Sequence, residues 1–201
     1  MSSNEYVYTY NVKNLPSSGQ QLSAFALQTF ASDAKPQKIG DGYVGQFSPN
    51  AVMKEGQWVG FGSTNFTTKV TPGKNIELTV RSFAPPGLVE CRIKGGNQVM
   101  IGTGEDIPGE LENILPSYQA WPSGYTIGPI ERLKTLSKAE RAKYVLELLP
   151  QFQKLGWMTA TARQRYEKIL RRDDLDGAYK RAQQDLKAGT ITTEILNVNQ
   201  G

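Results

Sequence analysis

No histidine occurs in this chain of 201 residues, and cysteine occurs once, as Cys91. The first absence removes Ser-His-Asp and Cys-His catalysis, histidine-ligated zinc or iron, and the side chain that most often moves protons near neutral pH. The second removes thiolate metal clusters and any disulfide within the chain, so cysteine usage does not identify a redox compartment. No apolar run approaches the roughly 20 residues of a membrane-spanning helix, and no membrane span is expected. The opening Met1-Ser2-Ser3-Asn4-Glu5 has neither a basic nor an apolar stretch of signal-peptide type. Two locations follow as expectations: extracellular or cell surface if a leader has been removed, cytoplasmic otherwise. The chemistries left open are those of carboxylates, lysines and oxygen-ligand calcium sites.

What is present has the balance of a folded protein, with 21% charged residues and a mean hydropathy of −0.45. The texture changes near residue 130: before it, short β-rich runs are separated by Gly, Pro, Asn and Ser, and after it the spacing is helical and Lys, Arg, Glu and Ala dominate. This predicts a β-sandwich domain over 1–104, a Pro/Gly/aromatic linker over 105–130, a helical module over 131–189 and a tail over 190–201. Residues 1–128 hold 9 Lys+Arg against 10 Asp+Glu, and residues 129–201 hold 14 against 9, so the basic character belongs to the helical end.

The β-runs show period-2 alternation. Tyr6, Tyr8 and Tyr10 share one face of Glu5 to Val12, and Gln21 to Leu27 follows after Pro16-Ser17-Ser18-Gly19, which predicts a first hairpin. Further strands are expected near Gly42–Phe47, Gln57–Gly62, Asn75–Ser82, Leu88–Lys94 and Gln98–Gly102, with turns at Pro72-Gly73, Pro85-Pro86-Gly87 and Gly95-Gly96-Asn97. In the Leu88–Lys94 run, Val89, Cys91 and Ile93 are placed inward, Cys91 as a small buried hydrophobe, and Glu90, Arg92 and Lys94 outward. About seven short antiparallel strands at this spacing argue for a sandwich.

The order Tyr8, Tyr10, Val12, then Gly19 to Leu27, Trp58 to Phe61, Thr71-Pro72-Gly73 and Phe83-Ala84-Pro85-Pro86-Gly87 resembles immunoglobulin- or fibronectin-like surface domains of secreted bacterial proteins. The Leu155-Gly156-Trp157 step and the later Asp185 to Gly189 segment resemble helical modules that follow such domains. The resemblance implies a non-catalytic, surface-displayed sandwich whose helical part serves spacing or association.

Between the two parts, Glu105, Asp106, Glu110 and Glu112 gather four acids that could take calcium. Their spacing departs from the Asp-x-Asp-x-Asp-Gly loop, so a solvated connector is expected and no cofactor is assigned. In the stretch from Pro116 to Pro129, Tyr118, Trp121 and Tyr125 are candidate partner contacts, as a stacking platform for sugar or protein; docking of these aromatics on the preceding sheet is the alternative.

Ser137 to Glu140 reads as a capping box before an apolar stripe of Ala142, Val145, Leu146, Leu149 and Phe152. Pro150 is expected to kink or split this helix and Gly156 to end it. A second helix capped from Thr159 or Thr161 carries Ala162, Tyr166, Ile169 and Leu170, and a third from Asp173 or Asp174 carries Leu175, Ala178, Tyr179, Ala182 and Leu186. Arg165, Lys168 and Arg172 share one face of the second helix and are candidate contacts to an anionic partner. Ile191 to Val198 reads as β-prone.

The expected fold is therefore mainly β plus α, an N-terminal antiparallel sandwich followed by a three-helix module. The expected function is that of a non-catalytic extracellular or cell-surface structural or interaction protein acting in assembly or adhesion. A virion structural protein, or a module binding nucleic acid or polysaccharide through the basic helical tail, are the alternatives. No enzyme activity is expected, and the partners are other protein subunits, the chain itself included, or an anionic polymer or glycan.

Overall fold

The computed structural model describes residues 5–37, 43–48, 57–63, 70–95 and 121–198. The expected strand Gln98–Gly102, the turn at Gly95-Gly96-Asn97 beyond Gly95, the acidic stretch from Glu105 to Glu112 and Tyr118 lie outside them. The chain divides into two compact units: a β unit of Val7–Ser82 with Val89–Tyr125, and a helical unit of Met1–Tyr6, Phe83–Leu88 and Thr126–Gly201.

Eight antiparallel strands are described: β1 Tyr6–Lys13, β2 Leu22–Thr29, β3 Lys35–Gln37, β4 Tyr43–Ser48, β5 Gln57–Ser63, β6 Asn75–Ser82, β7 Pro86–Gly95 and β8 Ser123–Pro129. They form one sheet in the order β1-β6-β3 and another in the order β4-β5-β2-β7-β8. β1 is half-wet, with Tyr8, Tyr10 and Val12 buried and Val7, Thr9, Asn11 and Lys13 exposed, so its alternation was readable. β2 is central and buries Phe25, Ala26 and Leu27 in succession. Its register sets Phe25 opposite Phe61 on one side and Ile93 on the other, and Leu27 opposite Val59 and Cys91. Tyr10 of the first sheet meets Phe25 of the second at 5.8 Å between ring centroids, and Phe25 meets Phe61 at 6.3 Å. This contact across the sheets makes the unit a sandwich, with apolar area shed from water as its main stabilisation.

The expected β1–β2 hairpin does not form, because the two strands lie in different sheets. Their buried faces meet across the core rather than side by side. The connection is pinned instead by Asn14, whose buried Nδ2 donates to the carbonyls of Gln20 and Val70, each at 2.8 Å. Thr71 to Lys74 is a turn with Pro72 second and Gly73 third; Lys74 N–H donates to the Thr71 carbonyl at 3.0 Å and Gly73 sits at φ 82°, where only glycine is unstrained.

β7 corrects a second expectation. Arg92, placed outward by alternation, is only 9% exposed. It pairs with Glu90 at 2.8 Å and lies 5.2 Å above the Trp58 ring, itself buried. A guanidinium tolerates such burial because a carboxylate and an aromatic face replace its water. Cys91 is half-buried rather than fully inside.

In the helical unit a short 3-10 helix, Glu131–Thr135, precedes α1 Lys138–Lys154, α2 Ala160–Leu170, α3 Leu175–Lys187 and the short α4 Thr193–Val198. The capping box is present: Glu140 N–H donates to Ser137 Oγ at 3.3 Å and Ser137 N–H to Glu140 Oε2 at 2.8 Å. α1 runs unbroken through Pro150, contrary to the expected split. The lost amide bond is outweighed by the buried stripe on both sides of the proline, Ala142, Val145, Leu149 and Phe152, while Pro150 itself faces solvent.

α1 ends in a Schellman motif, in which Gly156 N–H donates to the Gln153 carbonyl at 3.0 Å and Trp157 N–H to that of Phe152 at 2.9 Å, with Gly156 at φ 74°. The Phe152 and Trp157 rings stack at 5.7 Å, the apolar contact that accompanies this motif. α3 ends the same way at Gly189, φ 66°, with Thr190 N–H donating to the Asp185 carbonyl at 3.0 Å. The segments after the two glycines pair through an antiparallel bridge between Met158 and Ile191. The tail that reads as β-prone is thus a single bridge followed by a helix, because Ile195 and Val198, three apart, both find buried positions. α1 packs on α2, α2 on α3 and α3 on α4.

Candidate functional site

Thr159 caps α2 by accepting from Ala162 N–H at 3.1 Å, and Asp174 caps α3 by accepting from Gly177 N–H at 2.7 Å. These caps fix where each helix starts and hence which side chains face each other along α2 and α3. Tyr166 of α2 and Asp185 of α3 both fall on buried stripes, 0% and 2% exposed. The Asp185 Oδ1 accepts from Arg165 Nη2 at 3.1 Å and from Arg181 Nη2 at 2.8 Å. Both arginine side chains remain 36% exposed.

One buried carboxylate oxygen therefore holds two guanidinium groups from neighbouring helices near the surface, and the trio carries one surplus positive charge. Asp185 Oδ2, the Nε atoms of Arg165 and Arg181, and the hydroxyl of Tyr166 are buried without a hydrogen-bond partner. Burial and the adjacent Asp185 push the Tyr166 hydroxyl well above its ordinary 10.0, with Arg181 and Arg165 opposing, so the hydroxyl belongs to the same cluster. The hydrogen bond and charge of Asp185 likewise raise Arg181.

Of the basic candidates, Arg165 and Lys168 lie on α2, whereas Arg172 falls in the turn after it, because the helix ends at Leu170 and the expected shared face does not extend to Arg172. Arg165 is engaged with Asp185, whereas Lys168 and Arg172 are exposed and have no ion pair among the described residues. Arg163, one turn before, is bound to Glu167 at 2.8 Å. Arg181, Asp185 and Tyr166 were missed as a site. The signal that could have found them is Asp185 itself, an acid three residues after Ala182 on the stripe of Leu175, Ala178 and Ala182.

A cleft of about 370 Å³ lies elsewhere on the helical unit, lined by Ala139, Glu140, Lys143, Leu146, Leu170, Arg171 and Asp173. Asp173 has φ 56°, which makes it the one non-glycine residue with positive φ among the described residues.

The aromatic candidates sit in the β unit. Trp121 is half-buried with Lys94 Nζ 5.6 Å above its ring, and the neighbouring Pro122 carbonyl accepts from Ile93 N–H at 3.1 Å. Tyr125 lies on β8 and is 49% exposed. The described end of the stretch read as linker thus contains an added strand, Ser123–Pro129, and of the three aromatic candidates Trp121 and Tyr125 are described while Tyr118 lies outside the described residues. Among the described residues no helix is long and apolar enough to cross a membrane.

No family model matches the chain, and no curated protein does. One solved structure that is similar belongs to an uncharacterized protein from Nocardia farcinica, described as revealing an immunoglobulin-like fold. The likeness is 15% identity and a TM-score of 0.36, over 61% of this chain and 88% of that one. At that score the sandwich assignment stands on the strand pairing and the Tyr10–Phe25 contact.

Proposed function

We propose that this chain is a non-catalytic interaction protein of the cell surface or extracellular space, acting in assembly or adhesion, whose helical unit makes the contact with an acidic partner surface. The observation that supports this reading is the exposed cations Lys168 of α2 and Arg172 of the turn that follows it, which have no ion pair among the described residues. Cations solvated in this way release counterions when an acidic partner covers them, which gives binding that weakens as salt rises.

A second reading, a module for nucleic acid or polysaccharide, draws on the same cations. Light scattering with small-angle X-ray scattering at low and moderate salt separates the two. Oligomers that form at low salt and dissociate at moderate salt support assembly through these cations; a monomer that is held on heparin and released by moderate salt supports the polymer module. A monomer that heparin does not retain at low salt contradicts both.

A further inference from the structure

The last strand of a sheet offers a row of backbone groups to any strand that can reach it, and strands that stay alone there are short, charged, bulged or broken by proline. Among the described strands, three of the four sheet edges are blunted or flanked. β3 is three residues long and contains Lys35 and Pro36, and β4 lies against it. β8 contains Gly124 and Gly128 and ends at Pro129. β1 differs: it runs for eight residues with no glycine, no proline and one charge, Lys13 at its end.

Asn14 shows which way the β1 backbone points. Its N–H donates to the Lys74 carbonyl and its carbonyl accepts from Gly73 N–H, each at 2.9 Å, both on the approach to β6. Backbone groups alternate between the two edges of a strand. Tyr8, Tyr10 and Val12 therefore turn theirs toward β6, and Val7, Thr9, Asn11 and Lys13 turn theirs away. Among the described residues no strand lies on that outer side. All four outward residues have exposed side chains, and Val7 is 53% exposed, which adds apolar area to the same edge.

We propose that β1 is a dimerisation strand that pairs antiparallel with β1 of a second copy of this chain, about a two-fold axis at Tyr10. A second copy fits because the edge is complementary to itself. About that axis Val7 stands opposite the second copy's Lys13 and Thr9 opposite its Asn11, and the axis repeats both pairs. Every outward N–H and carbonyl from Val7 to Lys13 then finds a partner. The antiparallel sense keeps the two lysines at opposite ends of the joined strands and lays each Lys13 stem along an exposed Val7, whereas in-register parallel pairing would set like charges side by side. On the buried face Tyr10 meets the second copy's Tyr10 and Tyr8 meets its Val12, aromatic and β-branched pairs of the kind that stabilise sheets. This contact uses backbone groups and apolar area of the β unit, so it is separate from the cations of the helical unit and persists where salt screens them.

The test is sedimentation velocity of the full chain at moderate salt, together with amide exchange by NMR. Dimer is expected to accumulate as concentration rises toward ~1 mM. Exchange is expected to slow with concentration at Val7, Thr9, Asn11 and Lys13 and to stay constant at Tyr8, Tyr10 and Val12. Val7→Lys sets a lysine against the second copy's Lys13 at two places and is expected to weaken dimerisation at least about tenfold, while Val7→Glu, facing the same lysine, keeps or tightens it. The exposed position of Val7 leaves the Tm of both variants near that of the wild type. The Lys168→Ala, Arg172→Ala protein is expected to dimerise as the wild type does. A chain still monomeric at ~1 mM, a dimer whose outward β1 amides exchange as fast as in dilute solution, or equal effects of Val7→Lys and Val7→Glu would overturn the proposal. The wild-type exchange measurement decides this even if a variant fails to fold. An oligomer that forms only at low salt and is lost in the Lys168→Ala, Arg172→Ala protein overturns the β1 dimer while supporting the function proposed above.

Discussion

Cys91 shows how one residue's surroundings set its chemistry. Burial, and the negative charge of Glu90 next to it, push its thiol from 9.0 up to about 11, although a bond from the Gly124 backbone lowers it slightly. Thiolate is the reactive form, so modification by iodoacetamide near pH 8 is expected to be slower than for an unhindered thiol. Stability follows the same shift. Below pH 9 both folded and unfolded chains keep the proton; between pH 9 and 11 the unfolded chain releases it first, so stability falls as pH rises. Denaturant titrations at pH 8 and pH 10 compared with a Cys91→Ala control check the sign, and a Cys91 contribution that grew with pH would contradict it.

Gly87 is constrained by crowding rather than by dihedral angle. A Cβ there would lie 2.5 Å from Ile130 Cδ1 and 2.8 Å from Tyr144 Oη, which also accepts from Leu88 N–H. Gly87→Ala is expected to destabilise the helical unit by about 1–3 kcal/mol, read as a lower Tm. Neither this glycine nor Asp185 could be assigned its role from spacing alone. An acid on an apolar stripe is visible in the sequence, but the two arginines that meet it, one of them on another helix, depend on how the helices pack.

At the scale of elements, the helical starts and stops were the most legible part, because caps are local. Ser137 and Glu140 are three residues apart, and Gly156 and Gly189 each follow the last turn they terminate. The two hydrogen bonds from Ser137 hold the Glu140 carboxyl below its usual range. Their contribution is therefore present above the ordinary carboxylate value and is lost as pH falls through the lowered one. Ser137→Ala is expected to return Glu140 to its ordinary titration, followed by NMR, and to reduce Tm. Gly189→Ala, at φ 66°, is expected to cost about 1 kcal/mol through the left-handed backbone.

Strand partners were less legible, since pairing is decided by residues far apart in sequence. β1 and β2 alternate as a hairpin would, yet Tyr10 and Phe25 face each other across two sheets. β8 was read as linker because Pro122 and Pro129 bracket it, and the short alternation between them gave no sign of its place beside β7.

For the whole molecule, the division of charge is the feature that sequence and structure share. The basic surplus lies in residues 129–201, which the helical unit contains. Lys168 was legible as a neighbour of Arg165 because helical spacing places the two on one face, whereas Arg172 lies past the helix end at Leu170, where that spacing no longer applies. That Arg165 is tied down and Arg181 joins it was not legible, because both facts depend on Asp185.

The most direct test of the cationic surface on which both readings rest is the salt dependence of heparin binding, compared between the wild-type chain and the Lys168→Ala, Arg172→Ala variant. The wild type should be retained at low salt and released at moderate salt, with a slope in log affinity against log salt that is shallower by about two charges in the variant. Identical slopes, or no retention of either protein at low salt, would contradict Lys168 and Arg172 as part of the contact surface.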